Sequence, residues 1–154
     1  MDISKKLRDY LDEHHVRYTV LTHSRAYTAQ EIAARAHVSG QAFVKSVMVN
    51  ADGKHYMVVT TANQRVHLDR FRSALGVRHA HLEQENEFKD LFPECELGAM
   101  PPFGPLYGID VVVGDAVYAV EEIAFNGGTH SAMVRMGLKD FENLTHPRRA
   151  SLAV

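Results

Sequence analysis

Phe43-Val44-Lys45-Ser46-Val47-Met48-Val49-Asn50-Ala51-Asp52-Gly53-Lys54-His55-Tyr56-Met57-Val58-Val59-Thr60-Thr61 is the stretch that decides the fold. The runs on either side of Asp52-Gly53 read as strands over 43–49 and 55–61, because β-branched and aromatic side chains suit extended backbone. Asp-Gly is a turn pair that accepts positive φ at both central positions of a type I′ hairpin. Toward the N-terminus, Thr28-Ala29-Gln30-Glu31 is a capping box that opens a short helix to about residue 37, closed by Ser39-Gly40. Tyr18, Val20 and Thr22 mark a strand over 17–22, and Ile3, Leu7, Tyr10, Leu11 and His14 mark a helix over 3–14 with Asp2 as its N-cap. Toward the C-terminus, 68–75 reads as a helix stopped by Gly76, 77–82 as a strand and 83–91 as a helix. A proline-bearing loop follows over 92–106. Strands at 107–113, 121–126 and 131–136, a Gly127-Gly128 turn between the last two and a helix at 138–144 complete the chain. Helices and strands mix without regular βα alternation, which predicts an α+β domain around a mixed or antiparallel sheet.

The chain has 154 residues, 45% hydrophobic and 23% charged, which implies one soluble domain spanning 1–154. Cys95 is the single cysteine, so an internal disulfide and a four-thiolate zinc site are excluded. No apolar run approaches the roughly 20 residues that span a bilayer. The opening Met1-Asp2-Ile3-Ser4-Lys5-Lys6 lacks a signal-peptide pattern, and the expectation is a cytoplasmic location without membrane partners. Residues 1–77 carry 11 basic and 7 acidic side chains, and 78–154 carry 6 and 12. That balance argues against a strongly basic nucleic-acid binder but leaves room for a local basic face from the first half. The six acids of 83–96 read as a solvated helix face.

Three places could carry chemistry. Lys45 interrupts an apolar row formed by Phe43, Val47 and Val49. It either lays its stem along apolar surface and lifts its ammonium to water, or aims a cation into a pocket where a phosphate or developing oxyanion would sit. Gly98-Ala99-Met100-Pro101-Pro102-Phe103-Gly104 is either an ordinary rigid turn or a loop whose amides converge on a ligand. Asn126-Gly127-Gly128-Thr129-His130 reads as a hairpin turn followed by a histidine that begins the next strand and could touch a substrate. His79 and His81 share a strand face, but no motif supplies the three or four converging ligands a metal needs. Cys95 lies between Glu94 and Glu96, which disfavours a thiolate. Nucleophile elbows, phosphate loops and dinucleotide fingerprints are lacking.

Taken together, Phe43-Val44-Lys45-Ser46-Val47, the glycine-proline loop at 98–104 and Phe125-Asn126-Gly127-Gly128-Thr129-His130 resemble the YbaK and prolyl-tRNA synthetase-associated editing-domain family, in order and spacing along nearly the whole chain. The resemblance implies a single α+β domain with a mixed, barrel-like sheet flanked by helices. It implies hydrolysis, in trans and without cofactor or metal, of the ester of tRNA mischarged with alanine, serine, threonine or cysteine. Mischarged tRNA would be the transient partner, and an aminoacyl-tRNA synthetase a further candidate; the oligomeric state is left open. On that basis Lys45, Gly98 and Pro102 would be catalytic: Lys45 would meet the terminal phosphate or the ester carbonyl, and Gly98 and Pro102 would shape the site. Ala99, Met100, Asn126, Gly128 and His130 would bind substrate, with loop amides polarising the carbonyl. Relatives often carry aspartate where Gly114 stands here, followed by Asp115. The alternative is a module of the same fold that binds aminoacyl-tRNA ends or nucleotides without hydrolysing them.

Overall fold

Ser4 starts the first element. Its Oγ accepts the Leu7 amide at 3.4 Å and satisfies an orphan N–H at the head of helix α1, Lys5–Glu13. The N-cap is thus Ser4 and not the expected Asp2, whose carboxylate accepts the Ile3 amide instead. Leu7 and Leu11, one turn apart, are fully buried. The computed structural model describes residues 2–23, 31 and 41–153. The expected capping box and the helix after it lie outside these residues apart from Glu31, which is helical and exposed.

Strand β1 is Tyr18–Thr22, and β2, Val44–Ala51, pairs antiparallel with β3, Lys54–Thr61. The turn has φ of 50° at Asp52 and 85° at Gly53, as the Asp-Gly pair predicts. The Asp52 carboxylate also accepts the amides of His79 and Arg78, which hold its pKa below the usual carboxylate value. Helix α2, Leu68–Leu75, ends at Gly76 as expected. Strand β4 is only Ala80–Leu82. The helix expected over 83–91 is split into α3, Glu85–Phe88, and a 3-10 turn, Lys89–Leu91, because Gln84 and Glu87 form a capping box that delays the start.

A second 3-10 turn, Gly104–Tyr107, precedes β5, Asp110–Gly114, and a third, Asp115–Ala119, follows it. The chain then forms β6, Glu122–Thr129, β7, Ala132–Gly137, α4, Leu138–Thr145, and β8, Arg148–Ala150, which no sequence signal announced. Strands β4-β2-β3-β5-β8 form a mixed sheet in which β3/β5 and β5/β8 are parallel; β1-β7-β6 form an antiparallel one. The α+β expectation and its mixed sheet hold. Among the described residues the sheets do not close into a barrel, and they meet at a parallel bridge between Phe43 and Ala124.

Alternation along the strands sorts the core. Val44, Met48, Met57, Val59, Val111 and Val113 face a main core built on Phe103, whose ring meets Phe125 at 5.7 Å and Phe141 at 5.5 Å. The opposite face of the five-stranded sheet carries Val49, Val58 and Val112 against Phe71 of α2 and Leu152. Phe43, Ala124 and Met133 form a small third cluster at the junction of the sheets.

Gly127-Gly128 is not the turn expected. Register runs from Asn126↔Met133 to Thr129↔Ala132, so the two glycines form a bulge inside β6, and the turn falls at His130-Ser131. His130 therefore occupies the turn and does not begin a strand. The reason is tertiary. A Cβ on Gly127 would lie 2.4 Å from Ile3 Cγ2, and one on Gly128 (φ 97°) would lie 2.8 Å from Ser4 Cβ. The head of α1 docks there, with the Ser4 amide donating to Gly127 O at 2.7 Å.

Candidate active site

Lys45 sits on β2 opposite Thr60 of β3. It shares a strand face with Phe43, and Phe43 bridges Ala124. Two residues further along each chain, on that same face, stand Lys45 and Asn126. Lys45 is half-buried and has no hydrogen bond or ion pair among the described residues. Asn126 Oδ1 and Thr60 Oγ1 are buried and likewise have no partner there. Buried polar groups are normally satisfied, so these orphans, with a lysine that no described group pairs with, are candidates for contact with a ligand. Ser46 Oγ is a further orphan, on the strand face turned toward Val44 and Met48.

The second part of the site lies where the bulge meets the loop. The Gly128 amide donates to Ala99 O at 2.9 Å, and the Glu96 amide donates to Gly128 O at 2.8 Å. The Glu96 carboxylate accepts the His130 amide at 2.8 Å, and His130 Nε2–H donates to Leu97 O at 2.7 Å. Gly98, at φ 83°, packs beside the imidazole: a Cβ there would be in ordinary contact, 3.5 Å from His130 Cε1. Gly98, Ala99, Gly128 and His130 are thus brought together, and strand alternation from the Phe43–Ala124 bridge puts Lys45 and Asn126 on one face. Pro102 and Met100 are buried, and Met100 belongs to the main core. The Ala99 amide donates to Glu96 O at 3.0 Å and is not a free donor.

Sequence reasoning missed Glu96, Thr60 and Ser46. The acids of 83–96 are not uniformly a solvated helix face: Glu96 holds the turn, and the Glu83 side chain is fully buried, 2.6 Å from His55 Nδ1. Only the tertiary pairing of β6 with the loop reveals Glu96; Thr60 was readable only as the residue a hairpin places across from Lys45. Asp115, beside Gly114, is engaged by Arg149 Nε at 2.7 Å.

Cys95 lies under the bulge, with its thiol 3.4 Å from the Tyr107 hydroxyl. Burial, with the Glu94 carboxylate adding to it, pushes the thiol up to about 11, so it is no nucleophile at neutral pH. Burial also raises Tyr107. His81 pairs with Glu87 at 2.8 Å. Among the described residues no three His, Cys, Asp or Glu side chains gather to hold a metal ion, and no helix is long and apolar enough to cross a membrane.

The model of the aminoacyl-tRNA editing domain matches residues 23–144, which include Lys45, the loop, the bulge and His130. The chain belongs to the aminoacyl-tRNA editing domain family. A prolyl-tRNA editing protein ProX from Acetoanaerobium sticklandii is 25% identical over 94% of this chain and 91% of its own length. A proline–tRNA ligase from Bacillus mycoides is 23% identical over 59% of this chain, which covers 16% of the ligase. A crystal structure solved as a candidate trans-editing enzyme for prolyl-tRNA synthetase superposes with a TM-score of 0.83 at 20% identity, covering 98% of this chain and 96% of that one. Its likeness shows that the two chains share one α+β fold.

Proposed function

We propose that this editing domain is a trans-acting deacylase that hydrolyses the ester of tRNA mischarged with a small amino acid: alanine, serine, threonine or cysteine. The observation that carries the reading is Lys45, a half-buried cation without a partner among the described residues, on one face with the orphan Asn126 Oδ1. The reaction is addition of water to the ester carbonyl, then cleavage of the ester C–O bond. The ribose hydroxyl leaves with a proton, and free amino acid and tRNA are released. The ester is already activated, so the protein need only position it and stabilise the tetrahedral oxyanion. Lys45 meets the oxyanion or the terminal phosphate. Asn126 Oδ1 accepts a hydrogen bond from the substrate amine or a ribose hydroxyl. Gly98 and His130 form one wall of the amino-acid pocket, and the buried Ala99, Met100 and Pro102 with Gly128 hold that wall in place.

Selection is a size sieve: a pocket that admits one or two carbons excludes a larger cognate side chain. No organic cofactor enters this scheme, and it fits a protein working in the cytoplasm alongside a synthetase. The proline-directed names of the relatives make tRNA for proline the first to test. The experiment is deacylation of that tRNA charged with alanine, serine, threonine, cysteine or proline, beside Lys45→Ala. Release of a small residue by the natural protein, lost in the variant, supports the reading. Tight binding of every ester with no release above background overturns it in favour of a non-catalytic module.

A further inference from the structure

A groove begins at Thr60, one strand away from Lys45. Thr60, the cross-strand partner of Lys45, lines with Gln64 a cavity of about 260 Å³. Asn63, Gln64, Arg65 and His67 line the next, of about 420 Å³. Gln64 and Ala153 belong to both, so the two cavities adjoin. Thr60 is 2% exposed, and its hydroxyl has no partner among the described residues.

Charge along the groove is one-sided. Arg65 is exposed and pairs with no described group. Arg70, on the first turns of α2, reaches only the neutral Ser151 hydroxyl, at 3.5 Å. The acids nearby are neutralised: Asp69 by Arg72, and Asp115, on the wall of the first cavity, by Arg149. Asn63 spends its Oδ1 on the Thr61 hydroxyl at 2.7 Å, which leaves its NH₂ to donate outward. The groove therefore has a buried orphan hydroxyl at its Thr60 end and offers two amide side chains, an imidazole on which a base can stack and two guanidinium groups that no described acid pairs with. These are the group types that bind the phosphates, sugars and base edges of unpaired RNA.

We propose that this groove is the track of the single-stranded 3′ end of the tRNA. Thr60 meets the nucleotide next to the ester-bearing one, and Arg65 and Arg70 take the phosphates that follow. The inference rests on the deacylase reading, because it places the ester at Lys45.

The test is binding of uncharged tRNA, with and without its unpaired 3′ nucleotides, by fluorescence anisotropy across a salt series. Natural protein, Arg65→Gln/Arg70→Gln and Thr60→Val are compared, and deacylation is measured separately. The double variant is expected to bind intact tRNA about 10-fold more weakly, with a salt slope shallower by about 0.7 per lost phosphate contact. It is expected to raise KM more than it lowers kcat. On truncated tRNA it should lose nothing further. Thr60→Val should weaken binding while leaving the melting temperature equal or higher, since it removes a buried unsatisfied hydroxyl; a structural threonine would do the reverse.

Arginine variants that lose the same affinity on intact and truncated tRNA overturn the track, as do variants that bind intact tRNA like the natural protein. If the natural protein binds tRNA with this dependence but hydrolyses no ester, the track stands and the deacylase reading fails. Hydrolysis without any effect of the arginines retains the deacylase and removes the track.

Discussion

Gly128→Ala is the most exacting test of how the bulge builds the site. The substitution forces alanine to φ 97° and drives its Cβ to 2.8 Å from Ser4 Cβ and 3.5 Å from Cys95 Sγ. Holding an L-residue in a left-handed region costs about 1–2 kcal/mol. Overpacking adds about 1–3 kcal/mol, because the obstacle is the rigid head of α1 rather than the end of a flexible side chain. Gly53→Ala is the internal control: φ is 85° and nothing lies within 4 Å of the new Cβ, so only the backbone cost applies.

The two variants, compared by urea denaturation, should therefore differ by about 1–3 kcal/mol, with Gly128→Ala the less stable. In thermal melts the gap is about 2–12 °C, at 2–4 °C per kcal/mol for a chain of this size. The same change shifts the amide that donates to Ala99 O and the carbonyl that accepts from Glu96 N. Deacylation should fall in Gly128→Ala beyond what the unfolded fraction explains, and should not fall in Gly53→Ala. Equal stability of the two variants would refute the packing argument, and full activity of a folded Gly128→Ala would refute the role of the bulge in holding the loop.

Lys45→Ala should lose about 100- to 1000-fold in turnover, the usual consequence of removing one oxyanion donor, while melting within a few degrees of the natural protein. Turnover within threefold of normal would remove Lys45 from the chemistry. His130→Ala breaks the bond to Leu97 O and opens the wall beside Gly98, so the ratio of alanine to larger amino acids released should shift; an unchanged profile would place the pocket elsewhere. The Cys95 thiol, raised to about 11, should react slowly with iodoacetamide at pH 8, and its rate should climb about tenfold per unit toward pH 11; a plateau near pH 9 would contradict its burial. Because that folded-state pKa lies above the unfolded one, the associated stability is present below about pH 9 and is lost as pH rises toward 11. Leu11→Ala deletes a fully buried side chain on α1 and should cost about 2–5 kcal/mol in urea denaturation.

Whatever depends on a few neighbouring residues is legible in the sequence. Asp52-Gly53 dictates its hairpin because few other pairs accept two positive φ values, and that hairpin alone places Thr60 across from Lys45. Leu7 with Leu11, and the Leu68–Leu75 helix ending at Gly76, follow from helical period and a permissive cap. Tertiary structure decided the rest. Asn126-Gly127-Gly128 carries a strong local turn signal, yet the approach of Ile3 and Ser4 needs both glycines as a bulge, and the turn moves to His130-Ser131. Glu96 looked like one more solvated acid until β6 brought the His130 amide to its carboxylate. The parallel partnership of β3, β5 and β8 joins segments dozens of residues apart, and no local pattern encodes such a pairing. The same holds for the bridge at Phe43 and Ala124 that puts Lys45 and Asn126 on one face. Local conformation is selected by steric limits within a few bonds, whereas a site is an encounter between distant segments, and only the packing of the whole chain sets which ones meet.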